Sequence, residues 1–272
     1  MSISTKKVIL ITGGSSGIGK AIGIYLTQKG YKVYGTTRNI SKYPDFNFFP
    51  LLELDVTKAN SIKKAVSELL EKESRIDVLV NNAGVGITGP VEEIADTEIV
   101  SHFETNFFGA IKVMKAVLPQ MRAQQSGLII NVTSIAGYMG LPYRGIYSAS
   151  KAALEITTEA MRMETKAFGI KLTNLAPGDF ATNIAGGRYH APVIKGSDYE
   201  KGYEQTLNLI DAHVDSGDDP NMVGVLVNSI INTANPRIHY KIGAFMQKFS
   251  IVLKRVLPDK TFEKMLLNHY KL

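Results

Sequence analysis

The chain has 272 residues, 44% of them hydrophobic and 21% charged, with a formal net charge of +6 and no cysteine. That composition suits a soluble globular protein of one large domain or two small ones, and excludes a disordered chain, a disulfide framework and a thiolate metal site. Residues 237–272 hold eight Lys or Arg against two Asp or Glu, which accounts for the whole +6; the preceding 236 residues are neutral, which argues against nucleic-acid binding.

Residues 7–12 (KVILIT) predict a buried strand, and 12–20 (TGGSSGIGK) predict a glycine turn opening a helix over 17–29. Gly13, Gly17 and Gly19 permit a tight turn and a close backbone approach, with Ser15, Ser16 and Ile18 between them. The helix start beyond offers unpaired N–H groups and a positive dipole end, the elements of a pyrophosphate site. The spacing is Gly-x3-Gly-x-Gly, not the commoner G-x-G-x-x-G. Strands follow over 31–36 and 51–56, the second ending in LELDVT with Asp55 and Val56. A helix over 58–74 repeats Ile62, Val66, Leu69 and Leu70 around Lys63, Lys64 and Glu68.

A strand over 76–80 leads into NNAG (81–84), and a long helix over 96–124 carries Asn106. The strand over 128–132 runs into VTSIAG with Ser134, and 137–151 (GYMGLPYRGIYSASK) holds Tyr138, Tyr143 and Tyr147 before Lys151. A helix over 147–168, a strand over 170–174 and a Pro-Gly turn in LAPGDFATNI (175–184) complete the regular part. The Gly-rich stretch 178–218 is irregular and longer than a structural connection, so it predicts a substrate loop or lid at about 184–212. In 244–257, Phe245, Phe249, Val252, Leu253 and Val256 share a helical face with Lys248 and Arg255 away from its centre; another helix starts at Pro258 with Phe262, Met265 and Leu266 on a face. Alternating strands and helices predict an α/β doubly wound parallel sheet, a Rossmann fold. The domain is expected over 1–243, with a basic amphipathic extension over 244–272. No apolar run reaches bilayer length and the N-terminus lacks a signal peptide's layout, so a cytoplasmic location is expected.

The TGxxxGxG turn, NNAG, Asn106, Ser134, YxxxK at 147–151 and PG at 177–178 come in the order found in the classical short-chain dehydrogenase/reductase family, which the chain resembles over roughly residues 6–240. The resemblance is greatest to the hydroxysteroid and retinol dehydrogenase-like subgroup. It implies a nicotinamide-dependent oxidoreductase interconverting an alcohol and a carbonyl. The turn GTTRN (35–39) carries no acid for a ribose 2′-hydroxyl but has Arg38, whose guanidinium pairs with a 2′-phosphate, so NADP(H) is favoured over NAD(H). The resemblance further implies that Asp55 and Val56 border the adenine and that Asn82, Ala83 and Gly84 border its ribose. Pro177, Gly178 and Thr182 would border the nicotinamide.

The hydride belongs to the cofactor, so the protein must hold the substrate oxygen and move its proton. Tyr147 and Lys151 stand four apart on one helical face. An ammonium about 5 Å from a phenol supplies on the order of 3 kcal/mol at an effective dielectric of about 20, most of the roughly 4 kcal/mol that separates a pKa of about 10 from 7. The resemblance gives Tyr147 the acid/base role, Lys151 the roles of lowering its pKa and holding the ribose, Ser134 that of orienting the substrate and Asn106 that of a proton relay. Tyr25 and Lys29 repeat the YxxxK spacing, with Thr12 in the place of Ser134, but lie beyond the glycine turn and away from the carboxyl edge of the sheet.

Val85, Ile135, Tyr138, Tyr143 and Ile184 are expected to wall an apolar pocket for a steroid-, retinoid- or lipid-like substrate; no cluster has metal-ligand spacing. The C-terminal extension is expected to pack over the substrate end or a subunit interface, with peripheral membrane contact as the alternative. A homodimer or homotetramer on the helices bearing Asn106 and Tyr147 follows from the resemblance. The rival readings are a 3-oxoacyl-carrier-protein reductase, whose acidic carrier the basic tail would receive, and an NADP-sensing scaffold, which has no need of Asn106, Ser134, Tyr147 and Lys151 together.

Overall fold

The structure is a computed structural model and describes residues 6–180, 188–215 and 218–272, with side chains described outside 211–215. Thr182 and Ile184 lie outside the described residues, as does part of the predicted lid. The strands are β1 (Val8–Ile11), β2 (Lys32–Thr37), β3 (Leu51–Glu53), β4 (Val78–Asn81), β5 (Ile87–Thr88), β6 (Gly127–Val132), β7 (Ile170–Pro177), β8 (Tyr189–His190) and β9 (His239–Ile242). Seven form one parallel sheet in the order β3-β2-β1-β4-β6-β7-β9, and β5 pairs with β8 apart from it.

Every residue of β1 is buried because both sheet faces are covered, and side chains alternate between the two layers. Val8 and Leu10 join Ile62, Val66 and Leu69 of α2 (Ala59–Glu73), Val113 and Val117 of α4 (Gly109–Ala123) and Leu154 of α5 (Gly145–Glu164). Ile9 and Ile11 join Ile18, Ile22 and Leu26 of α1 (Gly17–Gln28) and Val223, Val227 and Ile230 of α7 (Asn221–Ile231). Each such side chain contributes about 1.5–3 kcal/mol by leaving water. The result is the expected Rossmann arrangement in one domain. The strand order reverses between β1 and β4, so a crevice opens beyond their carboxyl ends.

Three local departures matter for the site. The helix predicted over 96–124 is α3 (Asp96–Phe103), a π turn over Glu104–Phe108 and then α4, so Asn106 sits where the backbone register widens. The third ladder ends at Glu53, and Asp55 begins the turn beyond it. The seventh strand, β9, was not predicted; HYKI is four residues long and half polar, too short for periodicity to register. The remaining helices are α6 (Glu200–Asp215), α8 (Phe245–Val256) and α9 (Asp259–Tyr270). Ile251 of α8 and Phe262 of α9 pack on Ile135 and Met139, beyond the end of β6.

Candidate active site

Thr12 follows β1, and its hydroxyl accepts from the Asn82 and Ala83 amides at 3.0 Å each. Asn82 returns the contact, its Nδ2 donating to the Thr12 and Gly13 carbonyls at 3.0 and 3.1 Å. Gly13 has φ +65°, and a Cβ at Gly19 would run into the Gly13 carbonyl and the Asn82 amide. Gly14 lies so close to Gly35 of β2 that a Cβ there would come within 2.6 Å of the Gly35 Cα, a contact the sequence reading missed. Ser15 is buried in the turn, and Ser16 precedes α1 without a side-chain capping bond, leaving the helix start open to an anion.

Arg38 is exposed just beyond β2, near enough to Asp55 to act on its charge. Burial pushes the Asp55 carboxyl up, but bonds from the Thr57 hydroxyl and amide, with Lys58 and Arg38, hold it below the usual range. Val56 packs against Gly109 at the start of α4. Gly84 stands beside two other predicted residues: a Cβ on it would be 3.3 Å from Asn106 Oδ1 and 3.5 Å from Lys151 Nζ.

The Asn106 carboxamide clamps Val85, accepting from its N–H at 2.8 Å and donating to its carbonyl at 2.9 Å. Its Nδ2 also lies 3.1 Å from Nε2 of His102, whose other contact is Ser150 Oγ at 3.0 Å. Burial, then the Lys151 charge, pushes His102 down to about 4 and keeps it neutral. Lys151 is buried, donates to the Val132 carbonyl at 3.0 Å and lies 6.0 Å from the Tyr147 ring centre. Burial pushes its ammonium down against the opposing pull of Tyr147 and Glu155. Ser134 starts a short 3-10 turn over Ile135–Tyr138, its Oγ accepting from the Ala136 amide at 3.2 Å.

Two cavities meet here. A chamber of about 100 Å³ is lined by Ile18, Asn82, Gly84, Ser134, Tyr147 and Lys151, with Val85, Pro177 and Gly178 also on its wall. A second space of about 430 Å³ lies between 134–141 and the tail helices; Ile135, Met139, Leu253, Phe262, Met265 and Leu266 give it an apolar wall. Ser134, Arg144, Gly178 and Asp179 line both. The glycine cradle, the open start of α1 and a chamber running from Ile18 to Tyr147 and Lys151 fit a dinucleotide with its reactive end at Tyr147.

Two expectations are corrected. Tyr138 and Tyr143 line neither cavity. Tyr138 is half-buried against the Ile135 and Met139 cluster, its hydroxyl 3.2 Å from His239 Nδ1 and bonded to Glu155. Tyr143 has φ +55° and packs its ring 5.4 Å from Tyr203. Residues the sequence reading passed over are His102 and Glu155, one helical turn from Asn106 and Lys151 respectively. Glu155 is buried and accepts from Thr133 Oγ1 at 2.8 Å; burial pushes its carboxyl up to about 7 against the pull of the Thr133 and Tyr138 hydroxyls and of Lys241.

Known proteins share this architecture. Residues 7–192 match the short chain dehydrogenase family. A 3-ketodihydrosphingosine reductase of Bacteroides thetaiotaomicron is 38% identical over 258 residues, spanning 94% of this chain and 95% of that protein. A short-chain dehydrogenase from Streptomyces avermitilis superposes with a TM-score of 0.83 at 30% identity, covering 98% of this chain and 97% of that one. ElxO, solved with NADP bound, gives a TM-score of 0.72 at 28% identity, covering 88% of this chain and 97% of that one.

Proposed function

The chain belongs to the short-chain dehydrogenase family, and from that premise we propose that it reduces, reversibly and with NADP(H), a ketone carried on a long apolar chain. The observation that carries this reading is the position of Ser134, on the wall of both the Tyr147 chamber and the apolar cavity. A carbonyl accepting from the Ser134 hydroxyl would present its oxygen to Tyr147 while its hydrocarbon lies against Ile135, Met139, Leu253 and Leu266.

Gly13, Gly17 and Gly19, with Asn82 and Lys151, would hold the dinucleotide, and Arg38 its 2′-phosphate. The reduced nicotinamide supplies the hydride when bound. Ser134 fixes the carbonyl oxygen, Tyr147 gives it a proton as negative charge develops, and Lys151 stabilises the phenolate left behind. Asn106 holds the Val85 segment beside Lys151, with the proton relay running past it to solvent. The relative that acts on 3-ketodihydrosphingosine supports a lipid-like ketone, and the NADP-bound neighbour supports NADP(H). Exposed Phe108 beside α4, with Ile156 and Met163 on α5, supports pairing of two copies along these helices.

The test is NADPH oxidation over a series of 3-keto substrates of increasing alkyl length. Expected is a kcat/KM that rises with chain length until the cavity is full. A flat series, or a preference for small polar ketones, overturns the reading.

A further inference from the structure

The tail was expected to pack over the substrate end or a subunit interface, with membrane contact as the alternative, and the apolar stripe of α8 points outward. Phe245, Phe249, Val252 and Val256 fall at spacings of four, three and four, one stripe along the helix. Their exposures are 71%, 39%, 50% and 74%. The two phenyl rings stack on each other, centroids 5.6 Å apart. The helix is held by its other side: Gln247 Nε2 donates to Asp179 Oδ2 at 2.7 Å, Ile251 is buried, and Lys254 pairs with Asp259 at 2.8 Å. Four large apolar side chains in line on the surface of the fold mark a contact surface.

Charge identifies what that surface meets. Lys248 and Arg255 are exposed on the flank of the stripe, and Lys260, Lys264 and Lys271 are exposed further along the tail. The body of the chain is neutral, so its positive field is concentrated here. A second copy of the chain would bring the same cations to both sides of a two-fold contact, where they repel. An anionic lipid surface is complementary: the stripe enters the headgroup region while the cations pair with phosphates. The same helix borders the apolar cavity. Met246 and Met265 line that cavity and are still 65% and 41% exposed, so it opens beside α8.

We propose that the outer face of α8 rests on an anionic phospholipid bilayer, so that an apolar substrate passes from the leaflet into the cavity behind the helix. Docking stands on the stripe and its charge; the route into the cavity rests on the proposed function. The probe is the full chain sedimented with phosphatidylcholine vesicles containing or lacking phosphatidylglycerol. Expected is binding to the anionic vesicles only, weakened by salt. The double substitution Phe245→Ser with Phe249→Ser should lower the bound fraction at least tenfold, as should Lys248→Glu with Arg255→Glu. Both variants should keep the wild-type melting temperature and wild-type turnover of a short soluble ketone.

Equal binding of wild type and variants, or none by the wild type, overturns docking. So does a fall in solution mass on the Phe substitutions without vesicle binding, which would make the stripe a contact between copies. The vesicle assay needs neither substrate nor cofactor, so its failure is separate from that of the proposed function. Turnover of a long-chain ketone in detergent with no vesicle binding would sink docking alone.

Discussion

Two Tyr-x-x-x-Lys pairs, Tyr25 with Lys29 at the end of α1 and Tyr147 with Lys151 on α5, are nearly equivalent in local geometry. The ammonium lies 5.2 Å from the ring centre in the first and 6.0 Å in the second. Each has a hydroxyl thirteen residues upstream, Thr12 or Ser134. Their surroundings differ in every respect that matters for proton transfer. Lys29 is exposed, while Lys151 is buried against the Val132 carbonyl, and the same charge acts about four times more strongly at an effective dielectric of 20 than of 80. Tyr25 packs against Gly224 of α7, whereas Tyr147 faces a chamber beyond the carboxyl ends of β4 and β6. Thr12 is occupied by the Asn82 and Ala83 amides; Ser134 faces both cavities. Spacing brings a lysine to a tyrosine in both pairs, and position in the fold is what sets the proposed acid apart from its duplicate.

The most direct way to break this comparison is to remove each phenol in turn. Tyr147→Phe should lower kcat by about 10²–10⁴-fold, the range for a positioned general acid, with NADPH binding unchanged by fluorescence titration. Tyr25→Phe should leave kcat at the wild-type value. Equal losses in the two variants would mean that the pairs are not distinguished by their place.

The next effect concerns Glu155, which gives the α5 pair a buried acid one turn from its lysine. Glu155 titrates at about 7 in the folded chain against 4.5 when free. Between those values the folded chain holds a proton that the unfolded chain has released, so stability is greatest below pH 4.5 as far as this group is concerned. It falls as pH rises and the contribution is gone above about 7. The full span is on the order of 3 kcal/mol. Glu155→Gln keeps an acceptor for the Thr133 hydroxyl and removes the titration. Urea midpoints at pH 5 and pH 8 should differ less in the variant than in the wild type, and an unchanged difference would show that Glu155 does not titrate in this window.

The comparison also explains what was legible beforehand. Ser134, Tyr147, Lys151 and the glycine turn stand out in the sequence because the proposed chemistry requires particular residue types at fixed distances after a strand. The π turn at Asn106 is a matter of backbone register, and His102 and Glu155 look like ordinary helical residues until burial is known. The close approach of Gly14 to Gly35 joins segments far apart in the chain. Periodicity grouped Phe245, Phe249, Val252, Leu253 and Val256 on one face of α8; four of them form its exposed stripe, while Leu253 lines the apolar cavity. It could not say whether that face points in or out, because a hydrophobic pattern records which residues lie together and not what they meet. Tyr138 and Tyr143 show the same limit, since nearness along the chain to Tyr147 did not aim their rings into the pocket.

The start of the helix carrying the first pair belongs to the proposed cofactor site, and Arg38 tests that proposal. The loss of one charge-assisted bond to a phosphate is worth about 1.5–3 kcal/mol, so Arg38→Ala should raise the KM for NADPH by about 10–100-fold. The KM for NADH should change little, because that cofactor lacks the 2′-phosphate. Parallel changes for both cofactors would assign Arg38 to general folding of the β2 turn.

The smallest effect is expected at Lys29, and it sharpens the comparison most. A cation over a ring at an exposed site contributes about 0.5–1 kcal/mol. Lys29→Met should therefore lower stability by no more than about 1 kcal/mol, read from urea unfolding, and leave kcat and the pH–rate profile untouched. Lys151→Met places the same change in the buried pair, where the ammonium lies beside Tyr147 and the Val132 carbonyl, and the pH–rate profile should shift. If the profile moved equally in both variants, burial would not be what separates the reagent from its duplicate. If it moved only for Lys151, two pairs of matching spacing and near-equal distance would differ in chemistry through their environment alone.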